Sequence, residues 1–300
     1  MDADGVIVVR WWNVAKSGIV RTALFALAGA ALGALALTAG CDGGDGGGRG
    51  QQALRVVLTQ IASGFERPMY VTAANDGTRR LFVIEQRGTV RIIDPAGPVL
   101  LESFLDLSGM VTNADEGGLL ALAFHPNYEN NGRLYVYFVS DRSGVPKAYV
   151  SQFQVTPLNS NRVDTASELV LLEVEQNTTV QRGGFLTFGP EGYLWCSFGD
   201  GGGASAADAQ DTSSLLGSLV RIDVDTGYPY AIPDSNPLVG VGGSRDEIFA
   251  WGFRDPWRFS VDSETGRVFL GDVGEKTQEV DLMAAGENFG WPLMEGPACF

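Results

Sequence analysis

The 300-residue chain contains a single histidine, His125, which restricts the acid–base chemistry that the sequence can support. His125 precedes Pro126 where an apolar run meets a turn, and we interpret it as a structural residue. With His125 assigned to the fold, no Ser-His-Asp triad can be built. The sequence also lacks the clustered cysteines and histidines of a zinc site. These two kinds of chemistry are therefore excluded.

A glycine-rich run at residues 199–203 is a second candidate for chemistry. Such loops can cradle phosphate, but this one follows an apolar strand without the lysine and the helix start of a P-loop. We interpret it as a loop through which the backbone approaches a bound ligand. The formal net charge of -15 disfavours nucleic acid as a partner. Three cysteines do not make a disulfide framework.

The first forty residues have the layout of a bacterial lipoprotein signal peptide, with basic residues before an uncharged Leu- and Ala-rich stretch. Residues 37–41 resemble a lipobox, in which Cys41 is lipidated after cleavage. Residues 41–53 are rich in Gly and Asp and predict a flexible tether. An ordinary secretory signal or an uncleaved anchor is the alternative. We predict an exported protein, periplasmic or at the cell surface, that is held to a membrane through Cys41.

The remainder, residues 54–300, repeats a unit made of an apolar strand, a Gly-containing turn and a second apolar strand. The four copies begin at Met69, Ala121, Phe185 and Trp257. Their spacing of roughly 50 to 75 residues is the scale of a propeller blade with variable loops. A β-sandwich also uses short strands, but it does not repeat one specific hairpin. We therefore predict an all-β chain that folds as a β-propeller.

A propeller has to close on itself, because an unpaired terminal blade exposes a strand edge. The sequence stops at Phe300 within a Gly- and Pro-rich loop. We expect at least the closing blade to be missing from these 300 residues.

Six ordered motifs carry a resemblance to a known family. They occupy residues 116–126, 199–202, 214–217, 251–258, 271–274 and 288–291. In this order they resemble the soluble PQQ-dependent aldose (glucose/sorbosone) dehydrogenases and their Hedgehog-interacting-protein-like relatives. The resemblance covers about residues 60 to 300. It implies a six-bladed propeller of four-stranded antiparallel blades, with the quinone PQQ lying over the axial end beside Ca²⁺.

The resemblance also implies the reaction, which is hydride transfer from the anomeric carbon of a sugar to the quinone while a general base removes the hydroxyl proton. The family base is a histidine two residues before a Gly-Gly pair. The matching position here is Gln181, and an amide cannot accept a proton near neutral pH. A carboxylate could replace it if burial raised its pKa, and we consider Asp115, Glu116 and Asp200 for this role.

The resemblance assigns further positions. Arg254 matches the arginine that faces the quinone oxygens, although an ion pair between blades is the alternative, and its neighbour Asp255 replaces an asparagine. Asp200, Gly201 and Trp291 are predicted cofactor-binding residues, and Trp291 could also face a sugar ring or pack in the core. For calcium, the matching loop at Gly274 and Glu275 offers backbone carbonyls as ligands. The carboxylates of Glu247 and Asp272 are either further calcium ligands or hydrogen-bond acceptors within turns or between blades.

Three functions follow from the sequence. The first is an exported, membrane-tethered PQQ-dependent oxidoreductase acting on aldose sugars. The second is a catalytically degenerate propeller of the same family that binds carbohydrate or a protein, which Gln181 favours. The third, a calcium-dependent lactone hydrolase, would need several side-chain ligands converging on the axis, and the sequence shows no such set.

Overall fold

The computed structural model describes residues 5–11, 56–97, 99–156, 159–202 and 206–299. This part of the chain is almost entirely β-strand. Its helical segments are one turn of α-helix, α1 (Tyr128–Asn131), and a 3₁₀ turn at Ala206–Gln210. Cys41, the tether and most of the predicted signal lie outside the described residues and stay predictions. No helix among the described residues is long and apolar enough to cross a membrane.

Nineteen strands are present in the described ranges. They are β1 (Gly5–Trp11), β2 (Val56–Ser63), β3 (Pro68–Ala73), β4 (Leu81–Glu85), β5 (Thr89–Ile93), β6 (Leu105–Asp106), β7 (Leu119–Phe124), β8 (Arg133–Ser140), β9 (Lys147–Thr156), β10 (Asn159–Glu175), β11 (Gly183–Phe188), β12 (Leu194–Phe198), β13 (Ser218–Ile222), β14 (Ile248–Trp251), β15 (Pro256–Val261), β16 (Val268–Asp272), β17 (Glu279–Leu282), β18 (Met294–Glu295) and β19 (Ala298–Cys299).

Four antiparallel sheets follow one another along the chain as the blades of a propeller. The first three blades contain four strands each, in the orders β3-β4-β5-β6, β7-β8-β9-β10 and β11-β12-β13-β14. The fourth described blade contains β15-β16-β17. The first strands are the inner ones, because β3 contacts β7 and β11 contacts both β7 and β15. The prediction of an all-β propeller is confirmed, and four blades lie within the described residues.

Each blade begins with the predicted hairpin, which explains why the pattern was visible in the sequence. In the third blade, β11 and β12 are joined by a turn in which Gly192 adopts φ 88° and donates to the carbonyl of Gly189 at 3.0 Å. Side chains other than glycine rarely adopt such a positive φ. The inner strands are strongly apolar, and every residue of β7 is buried. This burial between neighbouring blades supplies the hydrophobic core.

Arg258 on β15 ties the inner strands together at the axis. Its guanidinium lies 3.5 Å from the carbonyl oxygen of Met69, 3.3 Å from that of Leu120 and 3.5 Å from that of Gly184, and each of these residues lies on a different inner strand. It also donates to the carbonyl of Trp257 at 2.8 Å. Burial lowers the pKa of Arg258 to about 10. Carbonyl dipoles thus replace the water around a charged group.

Two small sheets accompany the blades. β1 pairs antiparallel with β2, and β18 pairs with β19. β1 lies within residues 1–40, the predicted signal peptide, so cleavage before Cys41 would remove this strand. Processing at Cys41 stays a prediction.

Candidate functional site

Polar loops meet at the end of the propeller where the inner strands begin. The backbone N–H of Gly183, at the start of β11, donates to Oδ1 of Asp255 at 2.8 Å, just before β15. The N–H of Gln181 donates to Oε2 of Glu116 at 2.5 Å, in the loop before β7. Loops from three blades are therefore joined here. We call this group the axial site and define it by Glu116, Gln181, Arg182, Asp200, Arg254 and Asp255.

Gln181, the predicted position of the family base, lies in a strained turn. Its φ is 58°, a value that residues other than glycine rarely adopt. Its carbonyl accepts the N–H of Gly201 at 3.0 Å. A Cβ on Gly199 would collide with that same carbonyl, so the neighbouring loop needs glycine there. The structure thus holds the backbone of Gln181 against Gly201.

Glu116 supplies the carboxylate nearest to the Gln181 backbone. The residue is half-buried, and its bond to the Gln181 N–H uses Oε2. The neighbouring Asp115 is exposed and bonds to the Thr179 hydroxyl. Of the three carboxylates proposed as replacement bases, Glu116 is therefore the one positioned beside Gln181 with partial access to solvent.

Arg182 is a buried cation that the sequence analysis missed. Only 1% of its surface is exposed, and Nη2 donates to the carbonyl of Thr178 at 2.7 Å. Its Nε and Nη1 have no hydrogen-bond partner within the described structure. Burial lowers the pKa of Arg182, while the charges of Glu116 and Asp115 act in the opposite direction. The sequence signal that could have identified Arg182 is a charged residue directly before a Gly-Gly pair.

Asp255 and Asp272 are two buried carboxylates near the axial site. Oδ1 of Asp272 accepts the N–H of Asp255 at 2.7 Å, and Oδ2 accepts the N–H of Arg254 at 2.9 Å. Asp272 therefore anchors the turn that presents Arg254. Burial raises the pKa of Asp255 to about 7, with Glu116 and Asp272 adding to the effect, and burial raises the pKa of Asp272 to about 6.

Asp200, Arg254 and Trp291 are neighbours in the structure. Oδ2 of Asp200 accepts the indole N–H of Trp291 at 2.8 Å, and the backbone N–H of Asp200 donates to the carbonyl of Arg254 at 2.9 Å. The guanidinium of Arg254 lies 5.5 Å from the centre of the Trp291 ring. Because Trp291 is buried, its ring supports Arg254 rather than offering a face to a sugar. Burial raises the pKa of Asp200.

The predicted calcium ligands do not form one coordination site. Glu247 lies before β14 at the opposite end of its blade, where it bonds to Arg245 at 2.6 Å and to the Tyr230 hydroxyl at 2.7 Å. Both oxygens of Asp272 are used by backbone N–H groups. The Gly274 carbonyl accepts from Gln278 at 3.3 Å, and Glu275 is exposed. Within the described ranges, no group of three or more metal-binding side chains is present.

His125 lies at the opposite end of the inner strands, which agrees with the structural role assigned to it. Its Nδ1 accepts the N–H of Asn127 at 2.9 Å, so Nε2 carries the proton and donates to Asp225 at 3.0 Å. Burial lowers the pKa of His125, and the charge of Arg133 adds to this effect. Both ring nitrogens are occupied by the fold, so His125 is not the missing base.

The fold and the site define the class of protein: it is a β-propeller with a polar site at one axial end, where the inner strands begin. Carboxylates and arginines form this site. More particularly, the chain belongs to the glucose/sorbosone dehydrogenase family, whose model matches residues 65–298.

Relatives of two kinds are similar to the chain. Human Hedgehog-interacting protein is 37% identical over 221 residues, covering 68% of this chain and 31% of that protein. The HIPL2 protein of Arabidopsis thaliana is 31% identical over 304 residues, covering 82% and 43%. The aldose sugar dehydrogenase YliI of Escherichia coli is 27% identical over 192 residues, covering 59% and 47%. The chain thus spans less than half the length of these curated relatives.

Solved structures agree with the fold. An oxidoreductase (glucose dehydrogenase) of Thermus thermophilus superposes with a TM-score of 0.68 at 26% identity, covering 79% of this chain and 67% of that one. The PQQ-bound aldose sugar dehydrogenase of Streptomyces coelicolor gives a TM-score of 0.65 at 23% identity, covering 79% and 66%.

Proposed function

We propose that this protein is a PQQ-dependent oxidoreductase that oxidises aldose sugars at the axial site. The observation that carries the proposal is the convergence of Gln181, Glu116 and Arg254 from three blades, in a member of the glucose/sorbosone dehydrogenase family. Relatives named aldose sugar dehydrogenase and quinoprotein glucose dehydrogenase, together with a PQQ-bound structural neighbour, support the choice of substrate and cofactor.

The arginines of the axial site fit an anionic cofactor such as PQQ, which carries three carboxylates. Nε of Arg254 is buried and has no partner within the described structure, and Nη1 donates to the carbonyl of Val273 at 2.8 Å. The guanidinium is thus held in place with donors to spare. The buried Arg182 contributes a second positive charge to the site. When bound, PQQ would supply the acceptor for the hydride that leaves the anomeric carbon.

The chain itself has to remove the hydroxyl proton of the sugar. Gln181 can donate or accept a hydrogen bond, but it cannot take this proton. Glu116 can take the proton on Oε1, because its bond to the Gln181 backbone uses Oε2. Loss of the hydride and the proton converts the anomeric carbon of the sugar into a lactone carbonyl. In this mechanism Gln181 orients the sugar hydroxyl while Glu116 acts as the base.

The test is reconstitution of the full-length protein with PQQ, with and without Ca²⁺, followed by dye reduction with a panel of aldoses. Cofactor binding is followed separately, by absorbance. Sugar-dependent dye reduction by the native protein would support the proposal. If neither the native protein nor a Gln181→His variant binds PQQ, the dehydrogenase proposal fails. Activity only in the variant would show a retained pocket that has lost its base.

A second candidate is a binding module for carbohydrate or for a protein. The identity of 37% to Hedgehog-interacting protein, whose name describes protein binding, supports it, and so does the glutamine at position 181. This candidate predicts that the native protein binds a saccharide or a protein partner without turnover. We further propose that the protein is exported and anchored through a lipid on Cys41, which rests on the signal-like sequence of residues 1–41.

A further inference from the structure

Three successive peptide groups, from the N–H of Gln181 to the N–H of Gly183, are held by hydrogen bonds to other parts of the fold. The N–H of Gln181 donates to Oε2 of Glu116 at 2.5 Å, and the carbonyl of Gln181 accepts the N–H of Gly201 at 3.0 Å. The third peptide group joins Arg182 to Gly183 and is bonded at both of its ends. These bonds fix the backbone that carries the Gln181 side chain.

The carbonyl end of the third peptide group is bonded to a buried tyrosine of the second blade. The hydroxyl of Tyr137, on β8, donates to the carbonyl of Arg182 at 2.9 Å. At the other end, the N–H of Gly183 donates to Oδ1 of Asp255 at 2.8 Å. Because a peptide group is planar, bonds at both ends set its rotation about the chain. Tyr137 and Asp255 therefore orient this peptide group from the second and the fourth blade.

The turn depends on such bonds because its backbone is strained. Gln181 has a φ of 58°, and Gly183 has a φ of 62°. For a residue other than glycine this conformation is unfavourable, and it persists only where the surrounding structure holds it. Loss of one bond would let the turn relax toward an ordinary φ. The N–H of Gln181 would then move away from Glu116.

Tyr137 is a donor that reaches the axial site only through the backbone. Its side chain is fully buried, and its ring packs on Phe198 with 5.4 Å between the ring centres. Burial raises the pKa of Tyr137 well above its usual value, so the hydroxyl keeps its proton and remains a donor. The hydroxyl is spent on the Arg182 carbonyl, directly after the residue at the position of the family base.

We propose that Tyr137 is a positioning residue for the pair formed by Gln181 and Glu116, which it holds in place through the carbonyl of Arg182. The inference rests on the proposed function, in which Gln181 orients the sugar hydroxyl and Glu116 takes its proton. Displacement of a reacting group by about 1 Å can lower a rate by about 10²-fold. Tyr137 should therefore affect the rate of sugar oxidation more than the binding of sugar or PQQ.

The test compares two tyrosine variants of the full-length protein. Tyr137→Phe keeps the ring and removes only the hydroxyl. Tyr135→Phe is the matched control, because Tyr135 lies on the same strand, is equally buried and donates its hydroxyl to Gln152 at 3.0 Å. Hydrogen exchange read by mass spectrometry measures the protection of the amides of residues 181–183. Dye reduction with PQQ and glucose gives kcat and KM, absorbance gives PQQ binding, and thermal unfolding checks that each variant is folded.

We expect Tyr137→Phe to speed exchange of these amides about tenfold, as for the loss of one good hydrogen bond. It should lower kcat about 10- to 100-fold, while KM for glucose and the affinity for PQQ stay within about twofold. Tyr135→Phe should leave all four quantities unchanged. The inference is overturned if Tyr137→Phe keeps native exchange or native kcat, or if both tyrosine variants lose activity equally.

The exchange measurement requires neither PQQ nor turnover, so the two proposals fail separately. If the native protein oxidises no sugar, the proposed function fails. Exchange alone then decides whether Tyr137 holds Gln181 against Glu116.

Discussion

The backbone nitrogen of Gln181 lies 2.5 Å from Oε2 of Glu116, so a carboxylate is held against the residue that occupies the position of the family base. The bond joins the loop before β11 to the loop before β7. It ties the strained turn at Gln181 to the second blade and does not use Oε1 of Glu116. The proposed mechanism depends on this pair.

If Glu116 removes the sugar proton, Glu116→Gln should lower kcat about 10²- to 10⁴-fold, the usual contribution of a general base. The amide keeps an oxygen for the Gln181 N–H, so binding of PQQ should change little. Stopped-flow dye reduction measures the rate, and absorbance titration measures binding. Asp115→Asn, at the exposed neighbouring carboxylate, is the control and should leave kcat within about twofold. Equal rates for the native protein and Glu116→Gln would rule out this role.

Asp255 should make stability depend on pH. Its pKa is about 7 in the folded protein, compared with an ordinary value of 3.8. Between these values the folded state keeps a proton that the unfolded state has released, so the free energy of unfolding falls as pH rises from about 4 to about 7. Asp255→Asn cannot titrate and keeps Oδ1 for the Gly183 N–H. Urea unfolding across this range should show a shallower decrease for the variant.

Burial also raises the pKa of Asp272, to about 6, and Asp272 is still present in the Asp255→Asn variant. Some decrease in stability with rising pH should therefore remain in the variant. Parallel curves for the native protein and Asp255→Asn would contradict a raised pKa at Asp255.

Arg258→Ala should lower the free energy of unfolding by about 3 kcal/mol, because it removes the group shared by the inner strands and leaves a cavity. Arg258→Lys keeps the charge but cannot reach several carbonyls at once, so an intermediate loss is expected. Urea unfolding measures both variants. An alanine variant as stable as the native chain would show that β-sheet contacts alone hold the inner strands together.

Cys41→Ser should abolish lipidation and release the protein from membranes. The physical reason is that a serine offers no thiol for the lipid, while the rest of the signal is unchanged. Metabolic labelling with a fatty acid, followed by fractionation of bacteria that express the full chain, measures both effects. Cys196→Ser is the control, because Cys196 is buried in the third blade. Continued labelling of Cys41→Ser would contradict the predicted anchor.

The hairpins of the blades could be predicted from sequence because each one repeats the same local pattern. The copies that begin at Met69 and Trp257 correspond to β3 with β4 and to β15 with β16. Local strand and turn preferences are enough to place such units. The number of strands in each blade depends on pairing across long loops, which the local pattern does not encode.

The site was predicted less completely, because its members come from loops that only the fold brings together. Gln181, Asp200 and Arg254 lie in neighbouring loops at one end of the blades, and their roles stay predictions. Glu247 was predicted as a calcium ligand together with Asp272, but antiparallel strands alternate in direction, and Glu247 lies at the other end of its blade. Arg182 was not predicted as a site residue, because its burial depends on contacts between blades.

Arg258 affects the passage of small molecules along the propeller axis as well as the stability of the fold. Its guanidinium occupies the space between the inner strands of all four described blades, where a channel along the axis would otherwise run. A molecule that moved along the axis from the axial site would therefore meet the Arg258 side chain between the described inner strands instead of an open channel.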